Sequence, residues 1–176
     1  MHVDKRGPLN EEEEKKLIDA CRSPIEKLLI ILPIDTGMRA VEIENIHKKD
    51  FMWQHRRISV HGDPKNDDGH IIQLTNRAYD LLSSWFMFCD TVGIKKRFVQ
   101  RTISTVAKRT GLKNVSFNTL RRTFAIREIK QHKPLHEIMS TLGFRSEEMF
   151  KAFINIPLDE LSQNNNVQKQ SNNSLS

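Results

Sequence analysis

Three basic side chains occupy positions in the sequence from which they could bind one phosphate group. Arg39 follows a glycine-containing turn at the start of a predicted helix, Lys65 lies in a predicted hairpin connection, and Arg121 lies in the first turn of a later predicted helix. A guanidinium group forks onto two nonbridging phosphate oxygens, and a lysine supplies a point charge or a proton. Each residue alone is typical of a surface ion pair or a solvated side chain. Their order and context together indicate phosphate binding or phosphoryl transfer.

Charge is unevenly distributed along the chain, which begins with an acidic helix and becomes basic in its second half. The 176 residues carry a formal net charge of +6, and the pI is near 9.4. The cations that we expect to contact a nucleic-acid backbone are Lys95, Lys96, Arg97, Arg101, Lys108, Arg109 and Arg122. Such a cluster is typical of phosphate-backbone binding, although a solvated basic surface has the same composition.

The periodicity of apolar residues predicts that these cations lie on a mainly helical domain. Asn10 and Glu13 form a capping-box pattern for a first helix, and Pro33 is expected to end or kink a second helix that Ser23 begins. Further helices are predicted after Arg39 and from about Asn76, Arg97, Asn118, Pro134 and Ser146. Short strands are predicted at Phe51–Trp53, Ile58–Val60 and Ile71–Leu74. The predicted fold class is therefore α+β, mainly helical, with a small three-stranded antiparallel sheet.

Composition argues against several other kinds of protein. No apolar run approaches the roughly 18 residues of a membrane span, and no secretory signal pattern opens the chain. Cys21 and Cys89 have neither metal-ligand nor redox spacing. His55, His61 and His70 cluster near the predicted hairpins without the spacing of a metal site, and strand-surface positions account for them. We therefore expect an intracellular protein without a metal centre.

Four sequence elements stand in a characteristic order. They are Thr36-Gly37-Met38-Arg39, the hairpin Lys65, Asn118-Thr119-Leu120-Arg121 and Leu142-Gly143-Phe144. In this order the chain resembles the catalytic domain of the tyrosine recombinases, the phage integrase family, from about Leu9 to Ile156. The resemblance implies that Arg39, Lys65 and Arg121 take part in cleaving and rejoining DNA strands by phosphoryl transfer. It implies no metal or other cofactor.

The sequence departs from the family pattern at three positions. Asn118 stands where the family usually has histidine, and its amide could donate to a phosphate oxygen or cap its own helix. Phe144 stands 23 positions after Arg121, at the family's histidine or tryptophan, and we expect it to pack after a helix-ending Gly143. Phe153 stands 9 positions later, at the family's tyrosine nucleophile. A phenyl ring has no nucleophilic atom, so covalent catalysis is not expected.

Core packing gives a second explanation for Phe153. Met149, Phe150, Phe153 and Ile154 form an apolar face at helical spacing. Tyr79 is the only tyrosine in the chain, and we expect it in the core or at its boundary rather than in the role of a nucleophile.

Three functions remain open from the sequence. The first is a domain that binds duplex DNA without cleaving it, and the second is an active integrase whose tyrosine at position 153 was replaced by phenylalanine. The third is a basic helical domain that binds RNA or a protein, although the aromatic platforms of single-strand readers are not evident.

The resemblance also carries expectations about organisation. We expect residues 1–162 to form an integrase-type catalytic domain without the helical domain that usually precedes it, and residues 163–176 to form a disordered polar tail. The implied partner is double-stranded DNA, with a homo-oligomer on DNA left open. The implied location is the cytoplasm, in association with the nucleoid.

Overall fold

A computed structural model describes residues 6–61 and 69–155 of the chain. The helices are α1 Glu11–Asp19, α2 Pro24–Thr36, α3 Ala40–Glu44, α4 Asn76–Phe86, α5 Lys96–Thr110, α6 Phe117–Lys130, α7 Leu135–Leu142 and α8 Glu147–Ile154. The strands are β1 Phe51–Met52, β2 Arg57–Val60 and β3 His70–Gln73. This element order confirms the predicted fold class. Lys65 and the predicted polar tail lie outside the described residues.

The strands form one antiparallel sheet in the order β1-β2-β3. Ile58 of β2 pairs with Phe51 on one side and with Ile72 on the other, and all three side chains are buried. The pairing of Val60 with His70 places His70 at the first position of β3. Trp53, which the sequence assigned to the first strand, lies in a short 3₁₀ turn and is 42% exposed.

Helix α2 is the central element of the larger apolar core. Its N-cap Ser23 accepts a hydrogen bond from the backbone N–H of Glu26. The prediction for Pro33 was wrong about the helix end, because α2 continues through Pro33 to Thr36 and ends at Gly37 with φ of 70°. A proline removes one backbone donor, and the burial of this last turn of α2 offsets that loss.

The apolar core has two parts, and α6 belongs to both. The larger cluster includes Leu120 of α6, and the smaller cluster consists of Phe124, Ala125, Ile126, Ile138, Leu142, Phe150 and Ile154. Arg121 therefore lies on α6 where the two clusters meet. This position removes Arg121 from water while leaving it close to the turns that end α2 and α7.

The start of α6 differs from the sequence prediction. Ser116 is the N-cap, and its hydroxyl accepts a hydrogen bond from the backbone N–H of Thr119. Asn118 is the second residue of the helix and its side chain is exposed. Serine and asparagine both favour N-cap positions, so residue type alone did not show whether Ser116 or Asn118 begins the helix. Arg121 consequently lies one turn into α6 rather than in its first turn.

Within the described ranges, no helix combines the length and apolar character needed to cross a membrane.

Candidate phosphate-binding site

Arg121 is a buried cation that is anchored to two turns. It is 7% exposed. Its Nε donates to the carbonyl oxygen of Gly37 at 2.9 Å, and its Nη2 donates to that of Leu142 at 2.6 Å. Among the described residues, its Nη1 donates no hydrogen bond. One nitrogen of a fixed guanidinium group is therefore available for an anion.

Burial lowers the pKa of Arg121 to about 10. The charge of Glu42 opposes this shift in pKa, and the charge of Arg39 adds to it. Arg121 remains charged at neutral pH, but its charge is incompletely compensated by the surrounding protein. An anion beside Nη1 would supply that compensation.

Arg39 is held by a carboxylate on the next turn of the chain. It is the N-cap residue of α3, and its Nε and Nη2 donate to Oε1 of Glu42 at 2.9 and 2.7 Å. The other oxygen of Glu42 accepts the backbone N–H of Arg39 at 2.5 Å. The Glu42 side chain is fully buried, whereas 33% of the Arg39 side chain is exposed. Glu42 thus fixes Arg39 at the edge of the site with part of its surface open to solvent.

Two glycine turns bring Arg39 and Arg121 together. Gly143 ends α7 with φ of 76°, and a Cβ atom there would lie 3.0 Å from Nη1 of Arg39. Arg121 binds the carbonyl of the preceding Leu142 and also that of Gly37, two residues before Arg39. Both predicted arginines therefore meet at one place, formed by the ends of α2 and α7.

Phe144 and Phe153 occupy the side of this site formed by α7 and α8. The Phe144 ring packs edge-on against Phe150 at 5.6 Å and lies 4.9 Å from the Phe153 ring. This confirms the packing prediction for Phe144. Phe153 is partly buried, and its ring centre is 5.6 Å from the guanidinium carbon of Arg121. Of the predicted apolar face of α8, Phe150 and Ile154 are buried but Met149 is 62% exposed.

Arg122 differs from the surface cations with which the sequence grouped it. It is only 6% exposed. Its Nε donates to the carbonyl oxygen of Phe153 at 2.5 Å, and its Nη1 donates to that of Arg6 at 2.9 Å. Its guanidinium carbon also lies 5.3 Å from the centre of the Phe153 ring. These contacts fix the end of α8 rather than present a cation to the surface.

Asn118 and Tyr79 lie in different surroundings. Asn118 is exposed one turn before Arg121 on α6, and no hydrogen bond of its amide is found among the described residues. Tyr79 packs against Phe51 in the larger core, and its hydroxyl donates to the carbonyl oxygen of Trp53 at 3.4 Å. The prediction that Tyr79 lies at the core boundary is confirmed.

Helix α5 carries most of the other predicted cations. Val99, Ile103 and Val106 are buried on one side of the helix. The exposed cations on or beside it, which we call the α5 basic face, are Lys95, Lys96, Arg97, Arg101 and Lys108. Arg109 is also exposed but is bound to both carboxylate oxygens of Glu26, at 2.6 and 2.9 Å. Its charge is therefore partly neutralised.

A cleft of about 900 Å³ opens beside Arg39. Among its lining residues are His70 from β3, His136 from α7, Arg145 from the turn before α8, and Glu147, the first residue of α8. Sequence reasoning did not assign these residues to the site because they come from separate elements and share no motif. In the described part of the chain, no group of His, Cys, Asp and Glu side chains is arranged to hold a metal ion.

Sequence comparison finds a family and a curated relative. The model of the phage integrase family matches residues 8–157. Tyrosine recombinase XerA from Saccharolobus solfataricus is 26% identical over 157 residues, which cover 87% of this chain and 53% of the relative. The chain thus spans about half the length of that relative.

Structural comparison finds the same fold in solved recombinases. A crystal structure of XerA recombinase superposes with a TM-score of 0.77 at 21% identity, covering 93% of this chain and 65% of the other. A lambda integrase dimer bound to a COC′ core site gives a TM-score of 0.67 at 20% identity, covering 85% and 59%. XerH bound to a palindromic difH substrate gives 0.68 at 19% identity, covering 93% and 53%.

Proposed function

The chain belongs to the phage integrase family, and from that premise we propose that it binds duplex DNA at the Arg39–Arg121 site without cleaving a strand. The observation that carries this proposal is the position of Phe153 beside Arg121. The cationic half of a phosphoryl-transfer site is retained, and the residue next to it has no nucleophilic atom.

Phosphate binding would use the two arginines in different ways. Arg121 is fixed by two backbone carbonyls and offers Nη1, whereas Arg39 is fixed by Glu42 and remains partly exposed. Rigid donors bind an anion at little entropic cost, and charge-assisted hydrogen bonds to phosphate are strong. We propose that Lys65 and the exposed Asn118 add contacts to the same phosphate.

The α5 basic face would contact neighbouring phosphates along the duplex. Lys95, Arg97, Arg101 and Lys108 are exposed. Contacts of this kind release counterions, give little sequence preference and make affinity fall steeply with salt. This favours nucleic-acid binding over a role as a protein-binding helical domain.

The missing step is covalent. In the family reaction, as the resemblance implies it, a tyrosine oxygen attacks phosphorus and the bond from phosphorus to the 5′ oxygen breaks. The products are a 3′-phosphotyrosyl link and a free 5′-hydroxyl, and the reverse step rejoins the strand. Phe153 has no oxygen with which to begin this sequence.

Relaxation of supercoiled plasmid tests the proposal directly. The chain itself and Phe153→Tyr are compared, and covalent DNA adducts are resolved under denaturing conditions. Phe88→Tyr is the matched control, because Phe88 is 86% exposed and this change adds a phenol away from Arg121. We expect covalent adducts only with Phe153→Tyr. We expect the double variant Phe153→Tyr with Arg121→Met to form none. Relaxation by the unaltered chain would overturn the non-cleaving proposal.

The second candidate, an active integrase altered at position 153, is favoured by the same neighbourhood of Phe153 and Arg121. This candidate also predicts covalent adducts with Phe153→Tyr. It predicts in addition that the variant rejoins the cleaved strand, so relaxed closed circles should accumulate together with the adducts. If Phe153→Tyr forms no adduct although the chain binds DNA, this second candidate is excluded and the non-cleaving binder remains.

Binding itself is measured separately, with a labelled duplex at about 50 and about 200 mM salt. We expect affinity to fall steeply between these salt concentrations. A preference for RNA over duplex DNA in direct competition would contradict the proposal, as would an absence of binding at low salt.

A further inference from the structure

His70 lies in the cleft beside the phosphate site with one ring nitrogen unused. The side chain is 27% exposed, but its Nε2 is buried and has no hydrogen-bond partner in the described part of the chain. Buried polar atoms in folded proteins almost always have a partner, and an exception calls for a ligand, an ion or a water molecule. His70 also lines the cleft of about 900 Å³ that opens beside Arg39.

The other ring nitrogen of His70 faces the carboxylate that holds Arg39. Nδ1 lies 3.8 Å from Oε1 of Glu42, the same oxygen that accepts hydrogen bonds from Arg39. This distance is too long for a direct hydrogen bond, and the pair carries a charge attraction only when the imidazole is protonated. Glu42 is fully buried, so its carboxylate lies between Arg39 and the His70 ring.

On these contacts we propose that His70 is a further phosphate-binding residue, donating from Nε2 to a nonbridging phosphate oxygen. The inference rests on the proposed DNA-binding function and deepens it. Phe144 supplies no donor at this site and Asn118 supplies only a neutral amide. Among the described residues of the site, the cations Arg39, Arg121 and Arg145 outnumber the carboxylates of Glu42 and Glu147, so the group keeps a positive charge that suits a phosphodiester.

The proposal makes DNA binding dependent on pH. Imidazole is the side chain that ordinarily changes charge between about pH 5 and 8. Among the described residues, Glu42 from α3 lies 3.8 Å from the His70 ring, and Arg39, His136, Arg145 and Glu147 line the same cleft. His136 is the one other imidazole among these residues, so it needs its own variant.

Anisotropy of a labelled duplex at fixed salt, at about pH 6 and about pH 8, tests the inference on the full chain. His70→Gln keeps a polar side chain that cannot be charged, and His70→Lys keeps a fixed charge. His55→Gln is the matched control, because His55 is an exposed imidazole that does not line the cleft. His136→Gln separates the two imidazoles of the cleft.

We expect the unaltered chain to bind about tenfold more tightly at the lower pH, the value for one charge-assisted hydrogen bond. His70→Gln should lose that gain, His70→Lys should bind tightly at both pH values, and His55→Gln should behave like the unaltered chain. Chemical shifts of the His70 ring in the unaltered chain should also move on addition of inorganic phosphate.

Two results overturn the inference and leave the proposed function in place. One is a pH dependence of DNA affinity that remains in His70→Gln, or that is lost in His136→Gln and not in His70→Gln. The other is tight binding without any pH response. If the unaltered chain binds no duplex at either pH, the proposed function fails and the inference fails with it.

Discussion

The Nε atom of Arg122 donates a hydrogen bond to the backbone carbonyl oxygen of Phe153 at 2.5 Å. The same guanidinium group donates to the carbonyl oxygen of Arg6, in the segment that precedes α1. A single side chain on α6 therefore joins the start of the domain to the helix that carries position 153. The adjacent Arg121 binds different segments, because it donates to the carbonyl oxygens of Gly37 and Leu142 in the turns that end α2 and α7.

Replacing Arg122 with methionine should destabilise the fold. The change leaves two carbonyl oxygens without a donor and removes the cation beside the Phe153 ring. We expect the free energy of unfolding to fall by about 2 to 4 kcal/mol, measured by urea denaturation. Arg97→Met, on the exposed side of α5, is the control and should cost less than about 0.5 kcal/mol. Equal losses would contradict the structural role of Arg122.

Gly37 should tolerate alanine less well than Gly111 does. Both have positive φ, 70° and 75°, so the backbone strain is similar. A Cβ at Gly37 would lie 2.7 Å from Phe124 and 2.9 Å from Leu142, whereas nothing lies within 4 Å of one at Gly111. We expect Gly111→Ala to cost about 1 kcal/mol and Gly37→Ala about 3 kcal/mol, again by denaturation.

The Gly37 variant should also weaken DNA binding, because the Gly37 carbonyl holds Arg121. An unchanged affinity for duplex DNA in Gly37→Ala would show that this anchor does not determine the position of Arg121. Gly111→Ala should bind like the unaltered chain.

The sequence was sufficient to predict the element order and the meeting of the two arginines. Glycine adopts positive φ most easily, and Gly37 and Gly143 end α2 and α7 in that conformation. The first turn is followed by Arg39, and the carbonyl before the second accepts from Arg121. The two glycine turns are local signals, whereas the meeting of the arginines was expected from the order of the four elements and from the family resemblance.

The sequence did not distinguish buried from exposed cations. Arg122 and Arg101 are the same residue type on predicted helices, yet Arg122 is 6% exposed and Arg101 is on the surface. Helix α6 is buried along most of its length because α2 packs on one part and α7 and α8 on another. Its arginines therefore donate hydrogen bonds to backbone carbonyls of distant segments. The periodicity of apolar residues in the sequence does not predict such contacts.

Asp35 should be essential to a network of charges that joins α1, α2, α4 and α6. Its carboxylate accepts from Thr75 at 2.5 Å and from Arg77, and Arg77 and Arg127 also bind Glu14. The Asp35 side chain is 1% exposed, whereas those of Arg77 and Arg127 are 40% and 35% exposed. Solvent screening of the two arginines therefore reduces the cost of breaking the network below that of a fully buried pair.

Asp35→Asn should lower the free energy of unfolding by about 2 to 3 kcal/mol. Asp19→Asn is the control, because its pair with Lys15 is exposed and should contribute less than about 0.5 kcal/mol. Urea denaturation at low and high salt distinguishes the two variants. The loss in Asp35→Asn should persist at high salt, and a loss that salt abolishes would contradict burial of this network.

An anion should stabilise the folded chain through Arg121. Because burial lowers the pKa of Arg121 to about 10, the folded state holds fewer protons than the unfolded state between about pH 10 and the ordinary pKa of arginine. Stability therefore rises with pH across that window, and the full cost of the buried charge is present below it. At neutral pH, inorganic sulfate at Nη1 should offset part of this cost.

Thermal unfolding with sulfate or chloride at equal ionic strength measures the effect. At about ten times its dissociation constant, sulfate should add about 1.4 kcal/mol and raise the Tm by a few degrees. Arg121→Met should lose this shift in Tm, while Arg97→Met should retain it, since Arg97 lies on the α5 basic face. A shift that survives in Arg121→Met but disappears in Arg97→Met would place the anion on α5 and separate phosphate binding from the Arg39–Arg121 site.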